Sequence, residues 1–130
     1  MKHVIHQEVE FDAPPDQVYS ALMETKKHTA FTKNGPAKIS KKVGGAFSAH
    51  GGYVTGINLE LVPDKRIVQA WRAKNWPDGV YSIVRFDFSK HGKGTKLVFD
   101  HAAFPEEHGE HLSEGWHKMY WTKMSDYFKH

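Results

Sequence analysis

The stretch from Gly56 to Pro77, GINLELVPDKRIVQAWRAKNWP, constrains this chain more than any other. It sets down a half-apolar strand, turns through Pro63-Asp64-Lys65, and returns as a second strand that leaves through Trp71-Arg72 to Trp76-Pro77. Two strands joined by so tight a turn form an antiparallel hairpin. Turns at Pro77-Asp78-Gly79 and Lys90-His91-Gly92-Lys93-Gly94 then bound strands near 80–88 and 95–103. Along these, Val84, Phe86 and Phe88 share one face, as do Leu97, Phe99 and His101. One side of the sheet is therefore heavily apolar and needs a cover. The cover is an aromatic helix from about 107 to 128, with Leu112, Trp116, Met119, Tyr120, Met124 and Tyr127 at helical spacing.

The N-terminal half supplies the remaining elements. From Lys2 to Phe11 the apolar Ile5, Val9 and Phe11 fall on the odd-numbered face of a strand. Pro14-Pro15-Asp16 opens a short helix, where a missing N–H costs nothing and a carboxylate suits the helix dipole. Val18, Ala21 and Leu22 form its inward stripe. Thr25 is the expected cap of a second short helix with Ala30 and Phe31 inward, stopped by Asn34-Gly35-Pro36. Strands at 37–39, between the glycine pairs Gly44-Gly45 and Gly51-Gly52, and at 53–61 lead back to the hairpin. The order is one strand, two helices, six strands and a long helix. This is a single α+β domain over 1–130, in which a curved antiparallel sheet of six to seven strands wraps around the C-terminal helix.

Composition excludes several function classes. The chain has no cysteine, so disulfides, zinc-thiolate sites and cysteine nucleophiles are ruled out. Its net charge of +3 is spread over pairs such as Lys26-Lys27 and Lys41-Lys42. Nucleic-acid binding would call for a stripe of cations, and none is present. No segment approaches the roughly 20 apolar residues of a membrane span, and MKHVIHQEVEF lacks the apolar block of a secretion signal. A soluble cytoplasmic protein is the expectation.

Chemistry is sparse by comparison. Gly44-Gly45 and Gly51-Gly52 flank a strand and do not open a helix, so they form no phosphate loop. No serine stands in a nucleophile elbow. Asp87 and Asp100 alternate to the side opposite the apolar face, away from any interior acid–base work. Among ten histidines, His101, His108 and His111 gather near the start of the last helix. Too few further ligands accompany them, and a polar helix start is preferred to a metal site. No catalytic residue, metal or cofactor is assigned.

The strand faces nominate an interior binding surface. Ile67, Gln69 and Trp71 share one face of their strand, and the Gln69 amide offers a donor and acceptors. Val84, Phe86, Phe88, Leu97 and Phe99 continue that surface across the sheet. Leu112, Trp116, Met119 and Tyr120 face it from the helix, where flat rings and an adaptable methionine suit an aromatic or sterol-like ligand. His101 points the same way. It is either a core histidine satisfied by its neighbours or a ligand-orienting group.

The segments FDAPPDQVYSAL, GGAFSA, LVPDKRIVQAWRAKNWPDG and Gly115-Trp116 followed by Tyr120 resemble the C-terminal domain of activators of the heat-shock protein 90 ATPase. The resemblance runs from about Val4 to Tyr127. Asn58 departs from it, standing where many relatives carry an aromatic residue. It implies a helix-grip (START-like) fold, shared with lipid-transfer domains, polyketide cyclases and the birch-pollen allergens. The fold's common feature is a cavity between helix and sheet. The leading expectation is non-enzymatic binding of a small hydrophobic or aromatic ligand there, of lipid, polyketide or flavonoid class. The alternative is a co-chaperone module that contacts a heat-shock protein 90 type chaperone and modulates its ATPase, with Lys65, Arg66, Arg72 and Lys74 as contacts. Strong activation is not expected, because the activators' N-terminal domain does not precede Met1. A cyclase-like enzyme is the second alternative.

Overall fold

A computed structural model describes residues 4–129. Lys2 and His3, placed in the first strand from sequence, lie outside the described residues. The strands are β1 (Val4–Phe11), β2 (Lys38–Ile39), β3 (Ala46–Ala49), β4 (Val54–Val62), β5 (Arg66–Ala73), β6 (Ser82–His91) and β7 (Gly94–Ala102). They form one antiparallel sheet in the order β1-β7-β6-β5-β4-β3-β2. The tight turns force each strand from β3 to β7 beside its predecessor. β1 pairs with the last strand, so the two helices after it cross the open end of the sheet.

Alternation decides the faces. Ile5, Phe11, Ile67, Trp71, Val84, Phe86, Phe88, Leu97 and Phe99 are buried on the face that the helices cover. Asp87 and Asp100 point out, where Asp87 pairs with Arg66 and Arg85, and Asp100 with His6. Gly56 shows how closely the sheet bends. A Cβ there would sit 2.0 Å from the Ala70 carbonyl oxygen and 2.5 Å from the Phe47 ring. Only a residue without a side chain lets β4 curl under Phe47.

The helices α1 (Pro15–Met23) and α2 (Thr25–Thr32) depart from expectation in two details. Thr25 does not cap α2. Its hydroxyl accepts the Ile39 N–H and so tethers β2. Ala30 is exposed, and His28, Phe31 and Thr32 are the residues that face inward.

The C-terminal helix also differs from a plain amphipathic rod. A 3-10 turn at Glu106–His108 leads into α-helix over Gly109–Gly115, a π-helical stretch over Trp116–Trp121 and α-helix again over Thr122–Phe128. A π turn holds one more residue than an α turn. The consecutive Tyr120 and Trp121 are both buried as a result, whereas helical spacing alone singled out only Tyr120. Trp121 faces β1, where its Nε1–H donates to Gln7 Oε1 at 2.6 Å. Gln7 Nε2 in turn donates to the carbonyl and hydroxyl of Ser113. A glutamine on the odd face of β1 thus locks the helix onto the sheet.

Candidate functional site

Between the C-terminal helix and the near ends of β4 and β5 lies a cleft of about 370 Å³. Its walls are mainly apolar: Val54, Trp71, Trp76, Leu112, Trp116 and Met119. Asn34, His50, Tyr53, Asn75, His108 and His111 supply polar atoms around it. A smaller inner void of about 20 Å³ is lined by Ile67, Gln69, Phe86 and His28 among others. Trp71, Trp116 and Tyr120 line both spaces and form their common wall.

The expected binding residues divide accordingly. Trp71, Leu112, Trp116, Met119 and Tyr120 border the cleft, and Ile67, Gln69 and Phe86 border the inner void. Val84, Phe88, Leu97, Phe99 and His101 border neither and are packed into the core. The bulk of aromatic side chains explains the difference. Phe99 and Trp116 meet at 4.4 Å between ring centroids, and Phe86 and Phe99 at 5.1 Å, which fills the space over β6 and β7. The Trp76 wall was missed because a Trp-Pro pair reads as an exit from a strand.

His101 is fully occupied by its neighbours. The Trp116 Nε1–H donates to its Nδ1 at 3.0 Å, and indole nitrogen is only ever a donor. The imidazole proton therefore sits on Nε2, which lies 2.7 Å from Ser82 Oγ. Ser82 passes the chain on by donating to the Trp71 carbonyl at 3.0 Å. Burial pushes the His101 pKa down to about 3, so the ring is neutral near pH 7. Gln69 is turned inward as its strand parity requires, and its Nε2 donates to Asn58 Oδ1. Asn58, fully buried, holds the Ser40 and Lys42 carbonyls with its own amide.

A second polar chain, unread from sequence, crosses the cleft floor. Asn34 Nδ2 lies 3.2 Å from His50 Nδ1, and His50 Nε2 lies 3.1 Å from the Tyr120 hydroxyl. That hydroxyl lies 3.0 Å from His28 Nε2. His28 is 4% exposed, and its Nδ1 has no hydrogen-bond partner. Burial lowers the His28 pKa to about 3, with the neighbouring His50 adding to the effect. The His50 pKa is lowered by burial and by the Lys123 ammonium, and burial raises that of the Tyr120 phenol. The signal for His28 was its place three residues before Phe31 on the inward stripe of α2. No local pattern marked His50.

His108 and His111 sit at the cleft mouth, and the described residues contain no group of three or more His, Asp or Glu side chains arranged to hold a metal ion. No described helix is long and apolar enough to cross a membrane.

The outer face of the sheet carries a different surface. Strand register aligns Ala46, Ile57, Ala70, Ile83, Ala102 and Val4 in one row across six strands. Ile57, Ile83 and Val4 are each at least 40% exposed. The four expected contact cations do not form one patch beside it. Lys65 and Arg66 stand at one end of β5, and Arg72 and Lys74 at the other, roughly 20 Å apart at ~3.3 Å per residue. Arg66 is held by Asp87 and Glu60. Arg72 donates to the Trp76 and Pro77 carbonyls and lies over the Tyr81 ring.

Residues 12–129 match the family described as Activator of Hsp90 ATPase homolog 1-like protein. The Activator of 90 kDa heat shock protein ATPase homolog of Dictyostelium discoideum is 33% identical over 122 residues, covering 93% of this chain and 32% of that protein. The human Activator of 90 kDa heat shock protein ATPase homolog 1 is 30% identical over 118 residues, covering 91% of this chain and 35% of its own length. The chain thus spans about a third of these relatives. The crystal structure of an HSP90 activator from Plasmodium falciparum superposes with a TM-score of 0.90 at 24% identity, covering 98% of this chain and 96% of that one. That likeness establishes the helix-grip fold.

Proposed function

This chain belongs to the Activator of Hsp90 ATPase homolog 1-like family, and on that premise we propose that it docks onto a 90 kDa heat-shock-type chaperone through the outer face of its sheet. The observation that carries the reading is the aliphatic row from Ala46 to Val4. Exposed apolar patches with polar surroundings are characteristic of protein–protein contact sites. Here Arg72, Arg85 and His6 flank the row on neighbouring register positions. Lys65 and Lys74, both exposed, extend the contact at the two ends of β5. Modulation of the chaperone ATPase is the proposed consequence, and a cytoplasmic setting follows from such a partner. The test is an amide NMR titration with purified nucleotide-bound chaperone. Shifts should concentrate on Ile57, Ala70 and Ile83, and Ile83→Lys should abolish them while leaving the melting temperature within about 2 °C. No shifts at tens of micromolar chaperone would remove the reading.

A second reading rests on the cleft. Its volume lies at the lower end of small-molecule sites, and its mainly apolar lining with a few polar groups is their usual chemistry. A small hydrophobic or aromatic molecule bound there would be held chiefly by removal of apolar surface from water. This reading is non-enzymatic. Both His101 nitrogens are engaged, and Asp87 and Asp100 lie on the opposite face, so none of these three serves as an acid or base in the cleft. A panel of flavonoids, fatty acids and sterols should contain compounds that raise the melting temperature. A panel that leaves both melting temperature and amide spectrum unchanged would overturn it.

A further inference from the structure

The Asn34–His50–Tyr120–His28 chain has a direction, and the direction leaves one buried donor without an acceptor. The Asn34 amide nitrogen donates to His50 Nδ1, so that imidazole keeps its proton on Nε2 and donates it to the Tyr120 oxygen. Tyr120 has one hydroxyl proton, which then goes to His28 Nε2. A neutral His28 accepting at Nε2 carries its proton on Nδ1, the atom that has no partner. A buried donor left unpaired is destabilising, and native structures rarely keep one without a reason.

His28 also lines the inner void, and the void's size and surroundings define what fits. At about 20 Å³ it admits one water-sized group. Apolar side chains such as Leu22, Ile39, Phe47, Ile67 and Phe86 dominate its wall, with Gln69 the one further uncharged amide, and such a wall is hostile to a carboxylate. His28 and His50 are both neutral near pH 7 and offer such an anion no countercharge. What remains is a neutral acceptor of one heavy atom. The aromatic wall shared with the cleft places that atom next to space for a larger apolar body.

We propose that the cleft and the inner void form one site for a flat, mainly apolar carbonyl compound, an aromatic ketone or lactam, whose oxygen occupies the void and accepts the His28 Nδ1–H. The inference rests on the cleft being a ligand site and adds the anchoring group and the chemical class. Movement of one ring of the Trp71–Trp116–Tyr120 wall opens the passage between the two spaces. His28 selects the compound, and the tryptophans hold it.

The test uses the full chain and two probes matched in shape, 1-indanone and indane, which differ by the carbonyl oxygen. Both should shift the amides of Trp76 and Met119. Indanone alone should move the His28 Nδ1 nitrogen and its proton downfield in long-range proton–nitrogen spectra. It should bind roughly tenfold more tightly than indane, the scale of one buried donor satisfied. In His28→Phe that preference should fall to about one. Equal affinities with cleft shifts, or a His28 Nδ1–H that stays bonded to water at saturating indanone, would overturn the anchor and leave the cleft reading standing. Silence from both probes at Trp76 and Met119 would overturn the cleft reading itself. The wild-type nitrogen spectra decide the matter even where the His28→Phe variant fails to fold.

Discussion

Ser82→Ala is the sharpest test of the buried relay that joins helix to sheet. Ser82 is fully buried, accepts the His101 Nε2–H at 2.7 Å and donates to the Trp71 carbonyl at 3.0 Å. Alanine removes the acceptor while leaving the ring in place. His101 has no tautomer to escape into, because the Trp116 indole occupies Nδ1 as a donor. The imidazole N–H is then orphaned in the core, at a cost of about 2 kcal/mol. With an unfolding entropy of about 2.1 cal/mol/K per residue, 130 residues give about 0.27 kcal/mol/K. The expected fall in melting temperature is therefore about 7 °C, read by tryptophan fluorescence and circular dichroism together. Ser89→Ala is the control, since that hydroxyl is exposed and makes only a 3.5 Å contact. It should change stability by less than ~0.5 kcal/mol. A fall of under about 2 °C for Ser82→Ala would refute the assignment of His101 as a structural relay.

Other consequences are equally open to measurement. His28 and His101 have folded pKa values of about 3 against 6.5 for the free side chain, so the unfolded chain binds more protons between those limits. Their stabilising contribution is complete above pH 6.5 and is lost as pH falls towards 3, each with a slope approaching about 1.4 kcal/mol per pH unit. The raised pKa of exposed His6 works in the opposite sense. Urea melts from pH 7 to 4 should show the loss, and His28→Phe should flatten it; an unchanged slope would contradict a neutral buried His28. Gly56→Ala drives a Cβ against the Ala70 carbonyl and the Phe47 ring. A loss of about 3 kcal/mol is expected by chemical denaturation, and a neutral effect would mean that the sheet uncurls freely. Arg66→Ala breaks partly exposed ion pairs with Asp87 and Glu60. It should leave the denaturation midpoint close to that of the wild type in the same assay, and a clear loss would show that the pairs are better desolvated than their exposure implies.

The two-residue period of the strands made much of this protein legible. A single parity assignment for β5 put Ile67, Gln69 and Trp71 on the buried face, and the structure keeps all three there. It also sent Asp87 and Asp100 outward. Caps were less legible, because Thr25 satisfies a backbone donor fourteen residues away rather than its own helix. Helical spacing found Trp116 and Tyr120 but not Trp121, since the wider turn that buries it has no separate local pattern. The candidate site was half visible. Its indole and methionine walls follow from strand parity and helix stripe, while the emptiness beside them depends on how large rings settle against one another.

By itself, the sequence determined the succession of strands and helices along the chain, the buried face of the long strands, the absence of thiol chemistry and the family resemblance. These follow from local periodicity, turn residues and composition, none of which requires distant parts of the chain to meet. Only the tertiary structure decided that His101 is satisfied, that the space over β6 and β7 is filled while a cleft stays open beside Trp76, and that His28 and His50 converge on Tyr120. Those last two residues lie 92 and 70 positions from Tyr120. Side chains so far apart come within hydrogen-bonding distance only once the sheet has curled and the helix has closed over it. Close packing, rather than any motif, then leaves His28 with a proton and no acceptor.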